Sequence, residues 1–502
     1  DNQINCSQIN NYIQNNLHIF SLCADDNIDQ KIIQKRIFCK LIILNCNNNR
    51  KIKDVNHLAD TLEILNCGGS LSSINQNGIS GLKILKNLDC NNNYRIKDVN
   101  HLKNTLRILD CSFYSGIDQE GIFELKHIEK LICVCNCEIY DVNHLKNTLK
   151  ILDCSLDCEI DKLGISRLLC LEELFCHDNS GIKDVNHLKN TLKILDCSDC
   201  KIDQNGISEL IYLEELHCCD NRRIRDVNHL KNTLKILYCT KDSNIDQNGI
   251  SQLLHIEKLI CSNNKKINNV NHLKNTLKVL DCAKNSEINQ DGISQLKFIV
   301  ELNCNSNSDI TNVNHLKNTL KILSCGAYSR INENCGIDQN GIYQLLYIEK
   351  LYCFNNNKIK DVNHLKYTLK VLDCGGNFSE DTGIDQKGIS ELLHIENLYC
   401  FNNSHINNVN HLKYTLKVLD CGGNYAKGCG IDQFGISELL HIENLYCSCN
   451  SNINNVNHLK NTLKILNCSG NCGIDLLSIE IFKFKNIYTS MSPDNYDDKY
   501  QH

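Results

Sequence analysis

Cysteine and histidine have the greatest capacity for chemistry in this chain, because both bind metals and both act as nucleophiles or bases. The 502 residues include 33 cysteines and 19 histidines. Four short clusters have metal-ligand residue types: Cys133, Cys135 and Cys137; Cys197 and Cys200; His217, Cys218 and Cys219; Cys447 and Cys449. No pair of C-x-x-C motifs recurs at zinc-finger spacing, and strand alternation sends neighbouring side chains to opposite sides. We therefore expect no metal site and no cofactor.

Ten histidines belong to one repeated tetrapeptide, Val-Asn-His-Leu. They are His57, His101, His144, His187, His229, His272, His315, His364, His411 and His458. A catalytic site needs a single constellation of residues, whereas a packing or capping role needs the same residue in every repeat. The sequence also lacks the G-x-S-x-G, H-E-x-x-H and phosphate-binding glycine motifs. The chain is therefore predicted not to be an enzyme, and no catalytic residue is assigned.

Successive copies of the tetrapeptide lie 42 to 49 residues apart, and each period divides into two units, which we call A and B. Both units begin with L-x-x-L-x-C, as in Leu192 to Cys197 for unit A and Leu213 to Cys218 for unit B. The third to fifth residues alternate as a short strand does, with the central leucine and the cysteine on one side. The twenty cysteines of these motifs are predicted to be buried, with raised pKa values and low reactivity.

An asparagine follows the cysteine by three positions in every B unit. These ladder asparagines are Asn49, Asn93, Asn136, Asn179, Asn221, Asn264, Asn307, Asn356, Asn403 and Asn450. An isoleucine always stands six positions after the cysteine, from Ile52 to Ile453. A turning backbone leaves peptide groups unpaired inside, and an inward asparagine amide offers two donors and an acceptor for them. We expect the asparagines of stacked units to form a structural ladder.

This pattern resembles the leucine-rich-repeat family, whose segment L-x-x-L-x-L-x-x-N-x-x-L here has cysteine in place of the third leucine. The resemblance covers nearly the whole chain. It implies an α/β leucine-rich-repeat solenoid, a curved right-handed superhelix with one parallel sheet on the concave face and short helical turns and irregular segments on the convex face.

The two units resemble different members of that family. Unit A is similar to the cysteine-containing repeats of F-box ubiquitin-ligase receptors, and unit B is similar to internalin repeats. Arrays rich in Asn and Ile also resemble uncharacterised repeat proteins of amoeba-infecting giant viruses, which favours a viral source.

Four segments follow from the repeat boundaries: 1–22, a degenerate N-terminal repeat or cap; 23–475, the array of paired units; 476–490, a terminal capping strand; and 491–502, a disordered tail. In the first segment Leu17 to Leu22 fits the strand motif with leucine in the cysteine position. In the third, Ile479 to Phe484 fits it with phenylalanine there.

Insertions fall in unit A, just after its strand. The largest are Gly326 to Gly336, Gly375 to Gly383 and Gly422 to Gly430. They are predicted to form three loops on one rim near the C-terminal end, where solenoids often carry recognition elements. An equally weighted alternative is that these insertions are surface loops without a function, which a solenoid tolerates at little cost in stability.

The formal net charge of −6 gives no electrostatic footprint for nucleic acid, so we expect no nucleic-acid partner. No run approaches the roughly 20 apolar residues of a membrane span, which predicts a soluble protein without a membrane partner. The chain begins at Asp1 and its one methionine is Met491, which indicates a missing upstream segment. We expect an intracellular protein, in the host cytoplasm if viral, and secretion stays open.

The candidate binding surface is the sheet face turned away from the core. In unit A the fifth motif position is mostly aspartate, and in unit B it changes from Asn45 and Asp89 to tyrosine towards the C-terminal end. The predicted partner-binding residues are Tyr352, Phe354, Asp373, Tyr399, Phe401, Asp420 and Tyr446. Aromatic residues dominate binding hot spots, although strand surfaces also favour them for packing.

The sequence therefore predicts a non-catalytic scaffold that binds a protein partner on the concave face and inserted loops of its C-terminal half. Two alternatives rest on the resemblances. One is a substrate receptor for an F-box-type ubiquitin ligase, which requires an adaptor-binding module upstream of this chain. The other is an adhesin of internalin type.

Overall fold

A computed structural model describes residues 18–328, 334–376, 383–424 and 428–475, and the strand at 486–488. The chain divides into two compact units, one up to Leu253 and one from Leu254 onward. We call them the first and second domains. The predicted tail and most of the predicted caps lie outside the described residues, as do the middles of the three insertions.

Each domain repeats one element, a three-residue strand at the third to fifth motif positions. The strands of the first domain are β1 Ser21–Cys23, β2 Ile43–Asn45, β3 Ile64–Asn66, β4 Asn87–Asp89, β5 Ile108–Asp110, β6 Lys130–Ile132, β7 Ile151–Asp153, β8 Glu173–Phe175, β9 Ile194–Asp196, β10 Glu215–His217 and β11 Ile236–Tyr238. Those of the second domain are β12 Lys258–Ile260, β13 Val279–Asp281, β14 Glu301–Asn303, β15 Ile322–Ser324, β16 Lys350–Tyr352, β17 Val371–Asp373, β18 Asn397–Tyr399, β19 Val418–Asp420, β20 Asn444–Tyr446, β21 Ile465–Asn467 and β22 Asn486–Tyr488.

Within each domain every strand pairs in parallel with the next, and the central leucines stay in register. Leu195 of β9 is opposite Leu216 of β10, which is opposite Leu237 of β11. The burial pattern alternates, with the central residue buried and its two neighbours more exposed. The predicted leucine-rich-repeat sheet is therefore confirmed in both domains.

The first strand is displaced from its predicted place. The sequence suggested a strand centred on Phe20 with Leu22 in the cysteine position, but Phe20 is 54% exposed and Leu22 is the central buried residue. Ala24 takes the cysteine position, and its backbone N–H donates to the Asn45 carbonyl at 2.7 Å. The prediction was wrong by two residues because Ile19, Leu22 and Ala24 also fit the motif, and this register leaves the large Phe20 outside.

Short helical turns return the chain to the next strand. In unit A they are the α-helical turns Gln30–Ile33, Gln76–Ile79, Gln119–Ile122, Lys162–Ile165, Gln290–Ile293, Gln339–Ile342 and Gln386–Ile389, and the 3₁₀ turns Arg36–Phe38, Asn205–Ile207, Asn248–Ile250 and Phe434–Ile436. In unit B they are the 3₁₀ turns Asn56–Leu58, Asn100–Leu102, Asn143–Leu145, Asn186–Leu188, Asn228–Leu230, Asn271–Leu273, Asn314–Leu316, Asn363–Leu365, Asn410–Leu412 and Asn457–Leu459. Within the described ranges no helix has the length and hydrophobicity to cross a membrane.

The glycine of the unit A turn has a steric cause. A Cβ on Gly206 would collide with the carbonyl oxygen of Lys183 in the preceding B unit, because the two backbones lie in contact there. The Gly206 carbonyl in turn accepts a hydrogen bond from Val185 N–H at 3.0 Å. Gln204 of the unit A turn then reaches the following B unit, where its amide pairs with the backbone of Asp226.

The motif cysteines fill the interior of both sheets. All twenty are buried, and several of their thiols donate to a carbonyl of the next strand, as where Cys176 donates to the Asp196 carbonyl at 3.2 Å. Burial raises the pKa of these thiols far above that of a free cysteine, as at Cys218 and Cys261. They are core residues and weak nucleophiles at neutral pH.

All ten ladder asparagines are buried. Asn221 shows the arrangement: its Nδ2 donates to the carbonyls of Cys197 at 3.0 Å and Ile202 at 3.1 Å in the preceding A unit, and its Oδ1 accepts Arg223 N–H at 2.9 Å. The equivalent pair of carbonyls is bound by Asn93, Asn136, Asn179, Asn307, Asn356, Asn403 and Asn450. Each of these asparagines therefore hydrogen-bonds the turn of the preceding A unit to the turn of its own B unit.

Most of the repeated histidines cap helical turns. His187 Nε2 donates to the carbonyl oxygen of Ile165, the last residue of the preceding unit A turn, at 3.0 Å. Burial lowers the pKa of His187, which favours the neutral ring, and the acceptor carbonyl places the ring proton on Nε2. His229 and His411 make the same contact at the same distance. These bonds give the histidines the architectural role that their repetition predicts.

Replacement of one ladder asparagine tests the importance of these bonds. Asn221→Ala leaves two buried carbonyls and one part-buried N–H without their partner, so we expect a loss of about 2 to 4 kcal/mol in local stability. Hydrogen exchange at the amides of Cys197 to Arg223 measures this loss. The control Asn232→Ala removes an exposed asparagine from the same unit and should change exchange little. Equal protection in the two variants would contradict the ladder's importance.

Candidate functional site

The candidate site is built on strands β15 to β20 of the second domain. The third and fifth motif positions of these strands point away from the core, and in-register pairing aligns the fifth positions in one row. We call Tyr352, Asp373, Tyr399, Asp420 and Tyr446 the tyrosine–aspartate row. Because neighbouring strands lie about 4.8 Å apart, the tyrosines recur about every 10 Å with one aspartate between each pair.

A cleft of about 390 Å³ opens on this row. The structure brings five of the predicted partner-binding residues to its lining: Tyr352, Phe354, Asp373, Tyr399 and Tyr446. The remaining lining residues are Asn305, Ser324, Tyr328, Lys350, Val371, Asn397, Val418 and Asn444. Most of these stand at third or fifth strand positions, so the alternation that singled out the aromatic residues could also have found them.

The strand pattern could not indicate Tyr328, because it lies three residues after Cys325 at the start of an insertion, nor Asn305, which follows Cys304. The ring centroid of Tyr328 lies 5.2 Å from that of Phe354, and its hydroxyl accepts a hydrogen bond from Asn305 Nδ2 at 3.1 Å. The Lys284 ammonium lies 4.9 Å from the ring centroid. These contacts fix an aromatic pair at the end of the cleft.

Asp373 lies in the lining of the cleft and is only 4% exposed, although the sequence predicted an outward side chain. The tyrosines on the two neighbouring strands flank it, and Gly375 N–H donates to its Oδ1 at 3.1 Å. Burial raises the pKa of Asp373 to about 7. A carboxyl group with this pKa changes its charge near neutral pH and gains most from a nearby cation.

Two predicted residues, Phe401 and Asp420, are not part of the cleft lining. Phe401 packs against Gly422, where an added Cβ would lie 3.2 Å from its ring. Asp420 is 6% exposed, and its Oδ1 accepts Gly422 N–H at 3.2 Å. Both residues therefore support the strand end next to the cleft.

Aspartates at the fifth position have a structural role throughout the sheets. The Oδ1 atoms of Asp110, Asp196 and Asp281 each accept the N–H of the residue two positions later, at 3.0 Å. This Asx turn reverses the backbone after the cysteine. The recurrence of aspartate is thus explained by the turn, whereas tyrosine at the same position cannot make this bond.

The cysteine and histidine clusters have other structural roles. His217 Nε2 lies 2.6 Å from Glu215 Oε1. The His217 ring stacks on that of Tyr238, with 4.1 Å between the ring centroids. The prediction that Cys197 and Cys200 point to opposite sides is wrong, since their thiols interact. Cys200 lies in the turn, where strand alternation no longer applies. Among the described residues, no three His, Cys, Asp or Glu side chains are grouped around a metal position.

The buried carboxyl group predicts a pH-dependent stability. The raised pKa means that folded Asp373 keeps a proton that the unfolded chain releases, so its contribution is complete below about pH 4 and is lost as the pH rises through 7. Asp373→Asn keeps the acceptor for Gly375 N–H, and should raise the melting temperature by about 2 to 4 °C at pH 8.5 but by less than about 1 °C at pH 5.

The matched control for this change is Asp196→Asn. It alters the same strand position and the same Asx turn in the first domain, where the carboxylate is more exposed. A similar rise at pH 8.5 in both variants, or none in either, would show that burial of Asp373 has no energetic consequence.

Comparison with protein-family models gives no match, and comparison with curated proteins gives none either. Solved structures do match. TLR13 in its complex with ssRNA13 has a TM-score of 0.54 and 19% identity, covering 87% of this chain and 68% of that one. The functional domain of InlJ from Listeria monocytogenes has a TM-score of 0.41 and 23% identity, covering 68% of this chain and 72% of that one. A leucine-rich-repeat protein of Leptospira interrogans has a TM-score of 0.38 and 18% identity, covering 78% and 92%.

Three observations indicate a leucine-rich-repeat architecture: the repeated parallel strands, the buried cysteine and asparagine positions, and the match to TLR13. At 19% identity this likeness shows the fold alone. The chain is therefore a leucine-rich-repeat solenoid.

Proposed function

We propose that this chain is a non-catalytic scaffold that binds a protein partner on the outer face of the second domain's sheet. The tyrosine–aspartate row and its cleft are the centre of the interface. The observation that carries the proposal is the placement of three half-buried tyrosines and Phe354 around one concavity on an otherwise regular sheet. Tyrosine offers a large contact area at low entropy cost.

The chemistry of the cleft favours a basic side chain of the partner. Asp373 supplies a carboxylate in the lining, and the faces of Tyr352 and Tyr399 on the flanking strands attract cations. A cleft of about 390 Å³ is large enough for an extended arginine or lysine side chain. Lys350 also lines the cleft, at the third motif position of β16. Its ammonium group repels an arriving cation, which must therefore approach over the fifth motif positions, where the tyrosine–aspartate row lies.

Packing between neighbouring strands is the alternative explanation of the tyrosines. If packing were the reason, aromatic residues should replace aspartate at fifth motif positions wherever the sheet needs area. These three tyrosines instead occur on consecutive B strands and meet in one cleft. Each tyrosine stands where an aspartate could make the Asx turn. Asp89 makes this turn at the equivalent position, since its Oδ1 accepts a hydrogen bond from Asn91 N–H. The tyrosines therefore give up a local hydrogen bond for a solvent-facing ring, which favours a binding role.

Truncation of the three rings tests the proposal. The triple variant Tyr352→Ser, Tyr399→Ser and Tyr446→Ser should keep its circular dichroism and a cooperative melting transition, because the rings lie outside the leucine and cysteine core. Proteins captured from the source cell by the wild-type chain should include at least one whose recovery falls at least about tenfold in the variant, as measured by quantitative mass spectrometry.

The control is Phe175→Ser, which truncates a half-buried aromatic residue at the equivalent position in the first domain. It should capture the same partner as the wild type. If all three proteins capture the same set in the same amounts, the interface lies elsewhere.

The remaining expectations stay predictions of the sequence. They are the contribution of the inserted loops, the intracellular location, the absence of nucleic-acid partners, and the ubiquitin-ligase and adhesin alternatives. The matched TLR13 structure is a complex with ssRNA13, so an oligonucleotide is included as a competitor of the captured protein. Competition by RNA would contradict the preference for a basic protein segment.

A further inference from the structure

A second set of cysteines lies at one fixed place in unit A, two residues before the buried isoleucine that precedes the helical turn. We call Cys158, Cys200, Cys335, Cys429 and Cys472 the turn cysteines. Serine takes this place in four other A units, at Ser72, Ser115, Ser243 and Ser286. The place therefore accepts a small polar side chain, and five units have a thiol there.

Each turn cysteine faces the motif cysteine of the preceding B unit. The Sγ atoms of Cys133 and Cys158 are 3.9 Å apart, those of Cys400 and Cys429 are 4.0 Å apart, and those of Cys447 and Cys472 are 3.8 Å apart. The remaining pairs, Cys176 with Cys200 and Cys304 with Cys335, are hydrogen-bonded through their side chains, and Cys200 makes a second such contact with Cys197.

The two sulfurs of a pair have different surroundings. The motif cysteine lies deep in the core, whereas the turn cysteine, although itself 2 to 7% exposed in four of the five pairs, lies at the inner edge of a turn. In one pair the Ile202 N–H points at Cys200 Sγ at 3.3 Å. The thiol of the motif cysteine and this N–H both favour a negative sulfur, and the pKa values of Cys158 and Cys335 are lowered accordingly. The turn cysteine is thus the better nucleophile in these pairs, and its equivalent place in the turn assigns it the same role in the others.

We propose that the five pairs are oxidative-modification sites, at which a small peroxide joins the turn cysteine and the motif cysteine in a disulfide. The turn thiolate attacks one peroxide oxygen, the O–O bond breaks, and the leaving hydroxide takes up a proton as water. The sulfenic acid formed is then attacked by the motif thiol, the S–O bond breaks, and a second water leaves. Two thiols are oxidised by two electrons, and one hydrogen peroxide is reduced to two waters.

The sulfurs already lie close together. A disulfide needs the sulfurs at about 2.05 Å, so the three pairs with separations of 3.8 to 4.0 Å must close by slightly less than 2 Å. The bond links a B strand to the next A turn across 24 to 31 residues of chain, as from Cys176 to Cys200 and from Cys304 to Cys335. A cross-link of this length restricts the unfolded chain and should raise the melting temperature.

The test oxidises the reduced full chain with a small excess of hydrogen peroxide, blocks the remaining thiols after denaturation, and maps cross-linked peptides by mass spectrometry without reduction. We expect the five named pairs, and at least about tenfold less alkylation of their ten cysteines than in the untreated chain. Disulfides at other positions, with these pairs still reduced, would overturn the proposal.

Serine at the equivalent place supplies variants that should fold. Cys200→Ser copies Ser243, and it should remove one cross-link and leave Cys176 reduced. Ser243→Cys creates a new pair, because the Ser243 hydroxyl already contacts the Cys218 thiol, and a sixth cross-link between Cys218 and residue 243 is expected. Loss of Cys176 alkylation in Cys200→Ser, or no new cross-link in Ser243→Cys with the fold intact, would show that the place does not determine the chemistry.

Discussion

The structure depends on satisfying backbone polar groups at each turn. Every unit reverses its chain inside the protein, where an unpaired carbonyl or N–H costs free energy. The ladder asparagine solves this at every B unit, since one amide pairs with two carbonyls of the preceding A unit and with an N–H of its own turn. No unit is complete alone, so stability arises between neighbours.

This division of roles leaves the outer sheet face free to vary. The central leucine and the cysteine are fixed by the core, and the fifth position by the Asx turn wherever aspartate or asparagine stands there. Tyrosine breaks that rule on β16, β18 and β20, and the aspartates between them are buried by the rings. The same side chains thus form the cleft and raise the pKa of Asp373.

The repeat made most of the fold predictable. Twenty strands lie at the third to fifth motif positions, because a period of two and a fixed cysteine leave one register with leucine inside. The first strand was misplaced since Ile19 to Ala24 fits the motif as well as Leu17 to Leu22. The last described strand is Asn486–Tyr488, with Ile487 opposite Leu466, and not the predicted motif from Ile479 to Phe484. The site was harder to predict: Tyr328 belongs to an insertion, and burial of Asp373 depends on rings two strands apart. The pairs of turn and motif cysteines were not predicted, because strand alternation does not describe side-chain directions in turns.

The central claim is that the motif side chains line a closed interior throughout both domains. Brief alkylation of the folded, reduced protein, followed by mass spectrometry of each cysteine, tests it most directly. The twenty motif cysteines should stay unmodified while the exposed Cys23, Cys39 and Cys137 react. Motif cysteines that react as fast as these three in the folded protein would contradict the account.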